Sequence, residues 1–204
     1  MIPDTISKRE QIRLIEIQQE KIRIEIERRK IMQEMARRTP FHYTKYTFST
    51  YANENWHHKL IGEYLRKAVD REIIRLMIFA PPRHMKSESL ERAFSYALGK
   101  NPNQKIMIAG HSAPKATKIS SHVKSNVTDK KHYEVFPDFP GINGRNTQDY
   151  WEIGNGYRGS VLAGGKTSSR FTGEGFDIAG IDDLVSGRDE AESPTFHERN
   201  FDFF

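Results

Sequence analysis

Three short apolar runs constrain this chain more than any other feature in it. They are Ile73-Ile74-Arg75-Leu76-Met77-Ile78-Phe79, Lys105 to Gly110, and Phe176-Asp177-Ile178-Ala179-Gly180-Ile181. Each is short and nearly continuous in its apolar residues, which predicts strands buried on both faces. Helical patterns lie between them. Asn55 is placed to cap a helix from Trp56 to Val69, with Trp56, Leu60, Tyr64 and Leu65 facing inward. A second helix is expected to start near Lys86-Ser87 and run to about Leu98, stopped by Gly99, Asn101 and Pro102. A third is expected from Pro114 to about Val127, and a last one from about Arg188 to the end. Strands alternating with helices predict an α/β domain with a mainly parallel central sheet. Two further short strands are expected near Tyr150–Ile153 and Tyr157–Ala163. Loops are expected at Phe41–Tyr51, which is rich in aromatics, at 137–147 and at Gly164–Gly175.

The first 38 residues read differently. No Gly or Pro falls between Asp4 and Thr39, and Glu, Arg, Lys, Gln and Ile dominate, which predicts one long helix. Ile12, Ile15, Ile22 and Ile26 form one stripe on it, and Leu14, Ile17, Ile24 and Ile31 another. Two narrow stripes fit a helix laid on a partner or another subunit, and equally one laid on its own domain. Thr39 and Pro40 end this element. The boundary divides the chain into an N-terminal helical extension, 1–38, and a domain over 39–204.

Composition removes several classes of function. The absence of cysteine excludes disulfides, thiol nucleophiles, Cys-based zinc sites and iron–sulfur clusters. No apolar run approaches the roughly 18 residues that a membrane helix needs. Met1-Ile2-Pro3-Asp4 carries no signal-peptide pattern, so a soluble, intracellular protein is expected. The net charge of +5 is unevenly spread: +3 over residues 1–38, +9 over 39–171 and −7 over 172–204. A basic middle suits a polyanion such as nucleic acid or nucleotide, and also an ordinary basic surface.

The first apolar run leads through Ala80-Pro81-Pro82-Arg83-His84-Met85 into Lys86-Ser87 at a helix start. Phosphate-binding loops are built this way: loop and helix amides point at the phosphates, lysine reaches the outer ones, and the hydroxyl takes Mg²⁺. Both glycines of G-x-x-x-x-G-K-[ST] are missing, with Ala80 and Met85 in their places. The third run ends in Asp182-Asp183. Such a pair reads either as a Walker B strand, with one carboxylate for Mg²⁺ and the next for the attacking water, or as a turn capping the following helix. Both motifs lie at C-terminal ends of predicted parallel strands, where open α/β sheets place their sites. His57 and His58 are adjacent and cannot form a metal pair on one helix face, so packing or loop contact is expected of them. His111 and Ser112 follow the second strand, and no carboxylate is placed to complete a hydrolase triad with them.

These pieces, in order, carry a family resemblance. They are Trp56-His57-His58, Pro81-Pro82-Arg83-His84-Met85-Lys86-Ser87-Glu88, Leu98-Gly99-Lys100-Asn101-Pro102, Phe136-Pro137, Thr172-Gly173-Glu174-Gly175, Ile181-Asp182-Asp183 and Arg188-Asp189-Glu190-Ala191-Glu192-Ser193-Pro194. Together they make residues 39–204 resemble the N-terminal ATPase domain of the large terminase subunit of tailed bacteriophages, a DNA-packaging motor. The resemblance covers about four fifths of the chain and leaves out the N-terminal extension. It implies a P-loop NTPase fold of the ASCE type, preceded here by the long helix. It implies ATP and Mg²⁺ as cofactors, with ATP cradled by Pro82, Arg83, His84, Met85, Lys86, Ser87 and Glu88, and Mg²⁺ held by Ser87 and Asp182. Asp183 would be the catalytic carboxylate, Arg83 a contact to the γ-phosphate, and Tyr43 the ring beside the adenine. The implied partners are double-stranded DNA held by its phosphates, the portal protein, the small terminase subunit and further copies of the chain in a ring. The implied location is the host-cell cytoplasm, with transient docking on the procapsid and no membrane contact.

The departures matter as well. The family has Gly where Met85 stands, and a left-handed backbone there would cost Met roughly 1–2 kcal/mol. Glu174 stands where the family often has Arg, and Arg170 is the nearby residue that could serve as an arginine finger. The motif coupling hydrolysis to movement and the nuclease domain do not occur before Phe201-Asp202-Phe203-Phe204, so no nuclease activity is expected of this chain. Three terminal phenylalanines point to a packing face continued in a C-terminal nuclease half or a separate chain. A partner-dependent or non-catalytic assembly module on the same fold is the alternative reading. A helicase-like repair ATPase is a weaker one, since helicase motifs are absent.

Overall fold

The protein was analysed as a computed structural model, which describes residues 8–48, 54–166 and 168–183. The expected helix from Arg188, the 188–194 motif and the terminal phenylalanines lie outside the described residues. The elements run α1 (Lys8–Arg38), α2 (Pro40–Thr47), α3 (Trp56–Val69), α4 (Lys86–Lys100), β1 (Lys105–Gly110), α5 (Ala113–Thr128), α6 (Lys130–Val135), β2 (Ile142–Asn146), β3 (Tyr150–Ile153), β4 (Ser160–Gly165) and β5 (Ile178–Asp182). A single 3-10 turn at Ser169–Phe171 lies between β4 and β5.

The class is mixed α/β, but the sheet is not mainly parallel. Its order is β2-β3-β4-β1-β5. β1 runs parallel to β4 and to β5, whereas β3 is antiparallel to both β2 and β4. The cause is connection length. β2, β3 and β4 follow one another through short turns, which can join only antiparallel neighbours, while β1 reaches β4 and β5 through long crossovers. β2 itself falls inside the stretch expected to be a loop. Its side chains are mostly exposed, so it carries no apolar run to announce it.

The largest correction concerns the first apolar run. Residues 73–79 form no strand. They pass alongside α3 and α4, with Leu76 and Ile78 against Ile61, Leu65 and Ala93. Ile74, Met77 and Phe79 face outward, at 95%, 77% and 85% exposure. Among the described residues β5 has β1 as its only ladder partner, so nothing pairs with the backbone of 74–79. Two side-chain ties bracket this segment: Arg71 Nη2 to Asp177 Oδ1 at 2.6 Å before it, and Ser87 Oγ to Asp182 Oδ2 at 2.9 Å after it.

Two other expectations fail for local reasons. Residues 41–47 of the stretch expected to be a loop form helix α2, and residues 49–51 of it lie outside the described residues. Thr39 accepts from the His42 amide as N-cap and Pro40 occupies the first turn, so the pair that ends α1 also starts α2. In α3, Asn55 caps and Leu65 faces inward as expected, but Ile61, Val69, His58 and Gly62 make up the rest of the buried face. Trp56, Leu60 and Tyr64 are exposed. Gly62 explains the rotation: a Cβ built there would lie 2.5 Å from the Phe41 Cβ, so α2 sits directly on it.

The core surrounds the central strands. Trp151, Phe94, Tyr96, Leu98, Ile106 and Ile108 are completely or almost completely buried. Trp151 Nε1 donates to Ser120 Oγ at 2.9 Å, fixing β3 to α5. The Leu98–Pro102 and Phe136–Pro137 pieces meet, because the Phe136 ring fills the space where Gly99 has no side chain. The C-terminal end of α1 engages the described part of this body. Arg29 pairs with Glu134, Gln33 bonds Tyr46, and Arg37 donates to the Val135 carbonyl. Ile12, Leu14, Ile15, Ile17, Ile22 and Ile24 are all exposed, so neither stripe lies on the described part of the domain.

Candidate nucleotide site

The site is assembled where β5 ends and α4 begins. β5 is short and apolar, and it aligns Asp182 beside Gly110 at the C-terminal end of β1. α4 starts at Lys86 with Met85 as N-cap, and no side chain caps it. The first-turn amides of a 15-residue helix are therefore left to face the loop, as at anion-binding helix ends. Ser87 Oγ donates to Asp182 Oδ2 at 2.9 Å, which joins two residues 95 apart in sequence. Asp182 is buried, at 8% exposure.

The loop holds strain at this point. Among the described residues, five other than glycine have positive φ. Three of them, Arg83 (65°), Met85 (58°) and Asp183 (48°), belong to this site. The backbone at Met85 is thus left-handed, the geometry for which glycine is suited. A left-handed residue with a Cβ costs roughly 1–2 kcal/mol. Such strain gathers at ligand sites because surrounding structure holds it there.

Charge converges on the same end. Lys115, in the first turn of α5, places Nζ 2.5 Å from Asp183 Oδ2 and 3.5 Å from Asp182 Oδ2. Hydrogen bonding to Lys115 holds the Asp183 carboxyl below its usual range, with Lys86 and His111 adding to the effect. Burial opposes the charge on Lys115, but the two carboxylates outweigh it and raise its pKa. The His111 amide donates to the Asp183 carbonyl at 3.1 Å, extending the β1–β5 ladder past its end. The side chains of Lys86 and Arg83 have no hydrogen bond or ion pair among the described residues, whereas the Lys86 backbone opens helix α4.

The other sequence candidates are distributed unevenly. Pro82 and Arg83 are exposed at the loop tip, and His84 Nδ1 lies 2.9 Å from the Pro82 carbonyl. The His57 ring is 5.2 Å from that of His84, a loop contact, while His58 Nδ1 accepts from the Asn55 amide in a capping box. Glu88 turns its carboxylate along α4 to Arg92 at 2.6 Å. Arg170 pairs with Asp149 and touches none of Lys86, Ser87 or Asp182. Tyr43 must be withdrawn as the adenine-side ring. It is completely buried, its hydroxyl is bonded to His132 Nδ1 at 2.7 Å, and Tyr96 and Phe136 pack against it. Helix α2 turned what was expected to be a loop ring into a core residue.

Lys115 is the residue that sequence reasoning missed. One signal was available: a lysine in the first turn of a helix opposes the helix dipole and needs a nearby anion. A depression of about 670 Å³ lined by Asn103, Lys105, Arg158 and Phe176 lies at the opposite ends of the parallel strands. It shares no residue with this site, and open α/β sheets work from the C-terminal ends of their strands.

The residues present fit Mg²⁺. Ser87 and Asp182 offer hard oxygen donors in mutual contact, with Asp183 adjacent, and Mg²⁺ is usually held by one or two carboxylates together with phosphate oxygens and water. No group of three or more His, Cys, Asp or Glu placed to hold a metal occurs among the described residues. No described helix is long and apolar enough to cross a membrane. No family model and no curated protein matches the chain.

Proposed function

We propose that the chain is the ATPase domain of a viral DNA-packaging motor, hydrolysing ATP with Mg²⁺ to drive double-stranded DNA into a procapsid. The observation that carries this reading is the Ser87–Asp182 hydrogen bond. It brings the Lys-Ser helix start and the Asp-Asp strand end together, as a phosphate loop and a Walker B strand require. The terminase-like motifs supply the rest of the assignment, including a P-loop NTPase fold.

In this reading the first-turn amides of α4 and Lys86 receive the β- and γ-phosphates. Arg83 reaches the γ-phosphate from the loop tip. Ser87 Oγ and Asp182 hold Mg²⁺, which neutralises charge on the phosphate oxygens. Asp183 orients and polarises the attacking water. Pro82, His84, Met85 and Glu88 shape the loop. Arg170 serves a neighbouring copy only after leaving Asp149. DNA contact is through phosphates and independent of sequence. The portal protein, the small terminase subunit, a ring of copies and a nuclease half are the partners that this reading entails.

Phosphate release by the full chain tests it. Release should require Mg²⁺, rise with double-stranded DNA of any sequence and lose that rise as salt increases. Asp183→Asn should reduce it at least about 100-fold. Release untouched by Asp183→Asn or by Lys86→Ala would exclude this site as its source. The left-handed Met85 favours one second reading, a partner-dependent module that binds without turning over. Met85→Gly should raise activity sharply under that reading and change it little under the first.

A further inference from the structure

The position between Asp182 and Asp183 is occupied by a side chain of the protein itself. Lys115 Nζ bridges the two carboxylates, at 3.5 Å from one and 2.5 Å from the other. Asp182 Oδ2, the atom nearer to Lys115, is also the atom that accepts from Ser87 Oγ. The ammonium therefore sits at the oxygen that joins the two donors assigned to Mg²⁺. It is carried by the first turn of α5, where the helix dipole disfavours a cation. Its seat thus depends on the carboxylates rather than on its own helix. An ammonium is a compact charge on a flexible stem, so it can leave without moving the helix.

We propose that Lys115 is a resident counter-ion, and that divalent cation binding at this site is an exchange in which the metal displaces the ammonium from the two carboxylates. The inference rests on the nucleotide-site reading for the identity of the metal. It adds that the affinity for free metal is held down by Lys115. An ordinary salt bridge tying α5 to β5 would share the geometry, but its removal would leave metal affinity unchanged or lower.

The test is Mn²⁺ binding to the full chain without nucleotide, read by electron paramagnetic resonance of the free ion. Wild type, Lys115→Met, Lys115→Arg and Asp182→Asn are compared, with circular dichroism confirming each fold. Lys115→Met should bind Mn²⁺ about tenfold more tightly than wild type, a change worth ~1.4 kcal/mol. Lys115→Arg, which keeps the charge, should stay within about twofold of wild type, and the gain should vanish when Asp182→Asn is added to Lys115→Met. Equal or weaker binding by Lys115→Met, or no saturable binding by any folded sample, overturns the exchange. Mg·ATP titration of the same samples separates the two claims. Nucleotide binding with an unmoved Mn²⁺ affinity rejects Lys115 alone. A tightened Mn²⁺ site without nucleotide binding rejects the ATPase reading and keeps the exchange.

Discussion

Residues 105–110 and 73–79 start from similar material and end in opposite situations. Both are apolar runs that lead through a turn into a helix. The first is the central strand β1, paired on both sides, with Ile106 and Ile108 at 1% and 0% exposure. The second runs beside α3 and α4 with no ladder partner among the described residues, and Ile74, Met77 and Phe79 stand in solvent. Apolar character fixes where a segment can be buried on one side. Backbone partners decide whether it becomes a strand, since extended backbone needs its N–H and C=O groups met. The candidate site lies between these two regions. It takes Asp182 from the well-bonded side and Lys86-Ser87 from the sparsely bonded one.

Ile108→Ala should cost about 2–5 kcal/mol, read as a fall in the urea midpoint, because a buried side chain at the sheet centre leaves a cavity. A cost under about 1 kcal/mol would mean that β1 is not the centre of the fold. His132 sharpens the contrast through pH. It is fully buried, and burial pushes its pKa from 6.5 down to about 3. The unfolded chain therefore takes up a proton that the native chain refuses. This stabilising contribution is complete above about pH 6.5 and is lost as pH falls toward 3. His132→Phe should flatten that acid limb. At pH 8 it should cost about 1–3 kcal/mol, because the buried Tyr43 hydroxyl loses its partner. An unchanged acid limb would place the sensitivity elsewhere.

On the other side the effects should be smaller. Met85→Gly should raise stability by about 1 kcal/mol, as relief of the left-handed backbone exceeds the added entropy of glycine in the unfolded chain. A loss of stability would show that the Met85 side chain contributes packing which outweighs its strain. Ile74→Ala should shift the urea midpoint least, by under about 0.5 kcal/mol. A cost comparable to that of Ile108→Ala would mean that Ile74 is covered in solution.

How much could be read beforehand follows the same division. β1 matched its expected range, and α3, α4, α5, β3 and β5 lay within a few residues of theirs, because caps, breakers and apolar period agreed. α2 was hidden because Thr39-Pro40 stops one helix and starts another. β2 was hidden because it is an exposed edge with few apolar residues. At the site, Ser87 and Asp182 could be paired in advance from the motif order alone. Tyr43 could not be placed, because its role depends on the packing of α2 against His132 and Phe136. Lys115 could not be ranked above other basic residues until α5 set its distance to two carboxylates.

The most direct measurement is a calorimetric titration of the full chain with ATP in the presence and absence of Mg²⁺, beside Lys86→Ala and Asp182→Ala. The account predicts saturable binding that requires Mg²⁺ and disappears in both variants. A folded wild-type chain that takes up no nucleotide, or variants that bind as wild type does, would contradict it.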